Sequence, residues 1–396
     1  MGNRIPPALV AQADTFVALR RDLHRHPELG FEELRTSALV AEKLSEWGYA
    51  VTRGLGGTGV VGQLRRGTGQ RRLGLRADMD ALPITEATGL PHASCHAGLM
   101  HACGHDGHTA MLLAAAHHLA KHGQFSGTLN LIFQPAEEGL GGARKMMEDG
   151  LFERFPCDAI FAMHNMPGHP PGHLLFRSGA FMASSENITI TLHGVGGHGA
   201  LPHHSADPVV AGAAIVMGLQ SIVARNVPPL QMAVITVGAF QAGEANNVIP
   251  QTATLKLSVR SLDRDVRELL NRRIRELVES QAHSYGVRAD IDFRGGYPVL
   301  VNTPAETEFA RQIGRELVGS DHITEQAEPL TGSEDFAFML EDIPGSYLLI
   351  GNGDAATGGH GACMVHNPNY DFEDRNIAVG SAYWVRLAER FLDGTS

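Results

Sequence analysis

The stretch Gln134-Pro135-Ala136-Glu137-Glu138 places two adjacent carboxylates behind an apolar, β-prone run, Thr128-Leu129-Asn130-Leu131-Ile132-Phe133. Pro135 removes a ladder donor and ends that strand. Charges at the end of a buried strand need a neutralising partner, because an unpaired ion in an apolar setting is costly. The remaining sequence offers a metal ion for that role. Asp78-Met79-Asp80, the segment His101-Ala102-Cys103-Gly104-His105-Asp106-Gly107-His108, and His164 supply carboxylate, thiolate and imidazole donors. These donor types point to metal-assisted hydrolysis.

Cys103 and His105 are two apart, so on extended backbone both side chains face one way. A thiolate beside an imidazole suits Zn²⁺ and similar borderline metals. His101 and His108 lie near enough to compete for the same role. Glu137 and Glu138 would point apart on a regular element, which suits one carboxylate on metal and the other taking a proton from water; the sequence does not say which is which. Asp78 and Asp80 share a strand face and can orient ligands or a base, or simply cap a turn. A second Gly/His-rich stretch, His193 to Pro208, contains His198, a candidate donor to a substrate carbonyl or carboxylate. A glycine hinge with solvent-facing histidines explains that stretch equally well. His360, Cys363 and His366 are not ranked by spacing.

Positioning these groups requires two kinds of architecture. Helices are predicted over 8–26 and 31–47, strands near 49–53, 58–64 and 72–77, a helix over 106–122, strands near 128–134 and 158–163, and a helix near 140–149 between them. That alternation predicts an α/β fold with a mostly parallel sheet and helices on both faces. Ligands collect at the carboxyl ends of such strands, and Asp78, Glu137 and His164 each fall just after a predicted strand. After Ser184 the order becomes β-α-β-β-α-β, a ferredoxin-like α+β unit. α/β character resumes beyond Pro298, with helices near 304–318 and 333–342 and a strand at 346–350. The domains expected are therefore 1–184 with 296–396 for metal binding and catalysis, and 185–295 as an insertion.

The chain has 396 residues, 43% of them hydrophobic and 19% charged, with a formal net charge of −11. No basic stripe interleaved with aromatics appears, so nucleic acid is not the expected partner. No segment is expected to reach the roughly 18 apolar residues needed to span a bilayer. Met1–Pro7 has no apolar leader, and the four cysteines are no disulfide framework. A cytoplasmic protein is expected.

The segments Asp78-Met-Asp80-Ala-Leu-Pro83, Met100-His-Ala-Cys103-Gly-His105-Asp-Gly-His108, Gln134-Pro-Ala-Glu137-Glu138-Gly, Met163-His164, Gly332-Ser-Glu-Asp335-Phe and Leu23-His-Arg-His-Pro27-Glu-Leu-Gly30 together resemble the M20 peptidase/amidohydrolase family. The resemblance is nearest to the branch of hippurate hydrolases, N-acyl-amino-acid amidohydrolases and plant auxin-conjugate hydrolases, and it covers essentially the whole chain. It implies two divalent ions (Zn, Mn or Co) held by Cys103, His105, Glu138, His164 and His366. Glu137 would be the general base, and Asp80 the aspartate that orients a ligand or base. Asp78 stands where many relatives carry a histidine ligand. His198 would help form the oxyanion site, often across a dimer, and Asn247 and Arg260 would engage the substrate carboxylate. The inserted domain would act as lid and dimerisation unit, hinged near 182–186 and 294–298. The implied reaction is hydrolysis of an N-acyl amino acid, with an aromatic acyl group favoured and a dipeptidase or aminoacylase as runner-up. Two other classes fit parts of the sequence: a cysteine amidohydrolase using Cys103 with His105 or His108, and a non-catalytic binding protein on the same fold.

Overall fold

The computed structural model describes residues 5–356 and 358–393. Of the N-terminal segment read for a leader, Met1–Arg4 lie outside the described residues. In chain order the elements are α1 (Pro7–Arg25), α2 (Leu34–Glu46), β1 (Ala50–Leu55), β2 (Gly59–Arg66), β3 (Arg72–Asp78), α3 (His105–His122), β4 (Gly127–Gln134), α4 (Gly142–Glu148), α5 (Leu151–Arg154), β5 (Ala159–Pro167), β6 (Leu174–Leu175) and β7 (Gly179–Met182). There follow β8 (Ser184–His193), β9 (Gly197–His198), α6 (Pro208–Asn226), β10 (Ala233–Ala242), β11 (Val248–Ile249), β12 (Thr252–Ser261), α7 (Arg264–Ser284) and β13 (Arg288–Arg294). The last group is β14 (Leu300–Asn302), α8 (Pro304–Val318), β15 (Ile323–Thr324), α9 (Phe336–Asp342), β16 (Gly345–Gly353) and α10 (Asn376–Asp393).

The chain divides into two compact units. The first runs to Gly179 and takes up Val301–Glu328 and the chain from Phe338 onward; the second comprises Ala180–Leu300 and Pro329–Ala337.

In the first unit an eight-stranded sheet has the order β1-β2-β4-β3-β5-β16-β6-β15. Its centre, β4-β3-β5-β16, is parallel. These strands are buried nearly throughout, every residue of β16 included. Parallel strands covered by helices on both faces read as continuous apolar runs rather than alternating ones. The helix α3 shows the same logic: Met111 to Ala116 are all buried, so it has no solvent stripe over that stretch. It packs against α1 and α10. At the α10 contact, a Cβ on Gly380 would lie 2.1 Å from the Met111 sulfur. Any larger residue there would displace the Met111 side chain. The long helix α10 was not anticipated, although its buried face (Ile377, Gly380, Tyr383, Trp384, Leu387, Ala388) follows helical spacing.

The second unit has the antiparallel order β10-β12-β8-β13, joined in the chain order β-α-β-β-α-β. This is the ferredoxin-like arrangement expected. Burial alternates along β8 and β12, as a sheet with one covered face requires. On α7, Val266, Leu270, Ile274, Val278 and Ala282 form a buried stripe, and Asp263 caps the helix by accepting from Val266 N at 3.0 Å. One sequence expectation needs correction here. The helix α6 is long and apolar enough to cross a membrane by length and composition, with mean hydropathy 1.5. Its Ala, Gly and Val content escapes notice as a run. In the fold it is amphipathic, burying Ala211, Ile215, Leu219 and Ile222 in the core of the second unit.

Candidate metal centre and active site

Most of the expected donors of the first unit stand at element ends and in the turns that follow. Asp78 closes β3. Two residues on, Asp80 accepts from His105 Nδ1 through its backbone carbonyl at 2.9 Å and through Oδ1 at 3.1 Å. Its other oxygen accepts the Glu138 backbone N–H at 2.9 Å. Asp80 therefore fixes the His105 tautomer, leaving Nε2 facing the cluster, and seats Glu138 at the same time.

Cys103 and His105 do face one site, but not on extended backbone. Gly104 is left-handed (φ +92°) and caps α3, of which His105 is the first residue. The glutamates likewise do not point apart. They lie in a turn after β4, entered through Ala136 at φ +54°, a strained value for a non-glycine residue. Glu33 holds that turn, accepting from Ala136 N at 2.8 Å and from the Thr58 hydroxyl at 2.5 Å. Burial pushes the Glu33 carboxyl up to about 7. His164 lies inside β5, paired with Leu349, rather than beyond the strand end. His366, also at positive φ (+66°), is tied by its N–H to the Ala102 carbonyl at 2.7 Å.

The result is one cluster of overlapping triads. In each of Cys103–His105–His164, Cys103–Glu138–His366 and His105–Glu137–Glu138, the donor atoms lie within 4.8 Å of one another. All five expected ligands and Glu137 are thus brought together. Two buried atoms, His105 Nε2 and Glu138 Oε1, have no hydrogen-bond partner, although His366 Nε2 stands 3.2 Å from Glu138 Oε1. Orphaned buried polar atoms call for an explanation, and a cation supplies it. The electrostatics agree. Burial alone would lower the His105 pKa, yet the Asp78 and Asp80 charges raise it to about 10. Burial and repulsion from His108 hold His164 neutral, well below the usual histidine range. Burial and the carboxylates of Glu138 and Glu137 push the Cys103 thiol well above its ordinary value. The site asks for positive charge, and a cation would convert Cys103 to the ligating thiolate. The residues fit a metal.

A model of peptidase family M20/M25/M40 matches residues 74–390. The chain belongs to this family. A hippurate hydrolase of Campylobacter jejuni is 44% identical over 390 residues, covering 98% of this chain and 100% of its own. An N-acetyl-L-cysteine deacetylase of Bacillus subtilis is 38% identical, covering 95% of this chain and 88% of its own. Among solved structures, a dinuclear metal-binding M20 peptidase of Bacillus subtilis superposes with a TM-score of 0.81 at 33% identity, covering 97% of this chain and 99% of that one. As an M20 member the protein is an amidohydrolase acting on linear amides.

Of the other predicted positions, His101 joins no triad, and both its ring nitrogens are buried without a hydrogen-bond partner. His108 is engaged by Asp78 and Asn165. In the second unit His198 is exposed on β9, its Nδ1 accepting from Ala200 N at 3.0 Å. Asn247 sits on the same ribbon, where its carbonyl accepts the Gly199 N–H at 2.8 Å. Arg260 is half-buried on β12 with Nη1 3.5 Å from the Ser333 hydroxyl. Sequence reasoning passed over Glu33, Asn165 and Tyr370. Asn165 is a buried polar residue next to His164, and Tyr370 is buried four residues beyond His366; that adjacency is their one signal in sequence.

Proposed function

We propose that the protein hydrolyses N-acyl amino acids, with an aromatic acyl group preferred, using two divalent cations held by Cys103, His105, Glu138, His164 and His366. The observation supporting the centre is the convergence of these donors, among them two buried atoms without a hydrogen bond, His105 Nε2 and Glu138 Oε1. Bound cations would polarise the amide carbonyl and ease deprotonation of water. Glu137, buried and one residue from Glu138, takes a proton from the attacking water and delivers it to the leaving nitrogen. Asp80 keeps His105 and Glu138 oriented while charge develops. His198 is proposed as donor to the carbonyl oxygen, and Asn247 and Arg260 as partners of the substrate carboxylate. The proposal also makes residues 185–295 a lid and a dimerisation unit, and places the enzyme in the cytoplasm. The hippurate hydrolase relative supports the aromatic acyl group; the acetyl-cysteine deacetylase supports the wider N-acyl class.

The test is hydrolysis of N-acetyl, N-benzoyl and indole-acetyl amino acids and a dipeptide by metal-stripped protein, before and after adding Zn²⁺, Mn²⁺ or Co²⁺. Metal-restored release of amino acid, fastest with benzoyl, is expected. Turnover without metal would overturn the proposal.

A cysteine mechanism gains one observation, since Cys103 Sγ lies 3.3 Å from His164 Nε2. The ring beside the sulfur is thus His164, not His105 or His108. Burial and carboxylates raise this thiol's pKa, however, which is the reverse of nucleophile activation. Inactivation by mild alkylation of the metal-loaded enzyme would revive that mechanism.

A further inference from the structure

We propose that Asp78 binds no cation and instead anchors a buried relay, His108–Asn165–Tyr370, that holds the Cys103–Gly104–His105 loop and His164 in ligand geometry. The proposal rests on the metal centre described above.

Asp78, His105 and His108 offer donor atoms within 4.8 Å of one another, so the cluster resembles a further metal site. Its valences are already taken. Asp78 is wholly buried; Oδ1 accepts from His108 Nδ1 at 2.5 Å, and Oδ2 accepts from Arg76 Nη1 at 2.6 Å. Arg76 is itself held by donating from Nε to Gln134 Oε1 at 2.8 Å. A guanidinium touching a carboxylate repels any cation approaching the same oxygen. His108 has no ring nitrogen to spare, since its Nε2 lies 2.6 Å from Asn165 Oδ1 and 3.1 Å from Asn165 N.

The relay then reaches the ligand segments one by one. The Asn165 carbonyl accepts from His164 Nδ1 at 2.6 Å, which leaves Nε2 of that ring toward Cys103. The Asn165 side chain donates from Nδ2 to the Tyr370 hydroxyl at 2.7 Å. Tyr370 is fully buried, four residues beyond His366 on the C-terminal loop. Gly104 closes the connection. A Cβ there would lie 2.2 Å from Asn165 Oδ1 and 2.6 Å from the Tyr370 oxygen. The backbone between Cys103 and His105 therefore rests directly on this amide–phenol pair. Removing the phenol oxygen frees the amide to rotate, and with it the seat of the Cys103–His105 loop. Tyr370, Asn165 and His108 are positioning residues acting through the ligands.

Outer partners that orient metal ligands typically change metal affinity by about 10–100-fold when removed. The decisive measurement is Co²⁺ binding to wild type, Tyr370→Phe and Asn165→Ala, by calorimetry and by the thiolate-to-cobalt charge-transfer band. Both variants should bind at least one ion about 10-fold more weakly, with a shifted band. Their kcat at saturating Co²⁺ should fall less than their metal affinity. Unchanged affinity and band in both variants would overturn the relay and leave the metal centre standing. Failure of the wild type to bind Co²⁺ would overturn the centre, and the relay with it. If Asn165→Ala does not fold, Tyr370→Phe, which removes a single oxygen, decides alone.

Discussion

Two histidine- and glycine-rich stretches look alike in the sequence and differ sharply in the fold. From His101 to His108 every residue is buried, and His105 and His108 have defined hydrogen-bond partners. From His193 to His204 the histidines are half-buried or exposed, with the His203 and His204 rings tilted against each other at 4.0 Å. Burial makes a polar ring costly unless its nitrogens are paired, and the paired rings of His105 and His108 are thereby fixed in direction, whereas His101 is buried without such partners. An exposed ring meets water in any orientation. Pairing fixes His105 and His108 inside the first stretch, whereas exposure leaves His203 and His204 of the second far less constrained.

The largest effect is expected at Glu137, the proposed general base, which shares a donor triad with His105 of the first stretch. Glu137→Gln should leave metal content unchanged and lower kcat by about 10²–10⁴-fold, the range for losing a general base. Metal analysis beside steady-state kinetics checks both halves, and loss of metal instead would make Glu137 a ligand. Next comes packing around the first stretch. Gly107→Ala would set a Cβ 2.3 Å from the Phe372 ring, and overpacking of that kind costs about 1–3 kcal/mol, visible in urea unfolding.

A smaller effect should appear with pH. His24 donates from Nδ1 to Asp106 Oδ2 at 2.9 Å, next to His105. Burial would lower its pKa, but the hydrogen bond and charge of Asp106 raise it from 6.5 to about 9. A raised histidine pKa stabilises the fold fully below pH 6.5 and stops doing so as pH climbs through about 9. Metal-free protein should therefore lose urea resistance across that window, and His24→Gln should flatten the loss. An equally steep loss in the variant would assign it to other groups. Least affected should be the second stretch: His203→Gln is expected to change stability by under about 0.5 kcal/mol, and a large change would mean that this loop is not free.

Much of the fold was legible because burial writes periodicity. The apolar runs of β3, β4 and β5 and the five-residue stripe of α7, at four-residue spacing, identify their elements directly. The helix α10 carried the same signal but was passed over beside the motif-rich loop before it. The inferred geometry of the donor pairs failed for a local reason. Left-handed Gly104 and Ala136 at φ +54° turn Cys103, His105, Glu137 and Glu138 into one site, against the directions that regular strands would impose.

By itself the sequence determined the donor chemistry, the family and the two architectures, since residue type and spacing along the chain specify those. Only the tertiary structure decided which groups are already partnered. Asp78 and Asp80 are two residues apart and chemically identical, yet one is neutralised by Arg76 and His108 while the other orients His105 and Glu138. Charge compensation depends on distances between segments far apart in the chain, and those distances exist only after folding.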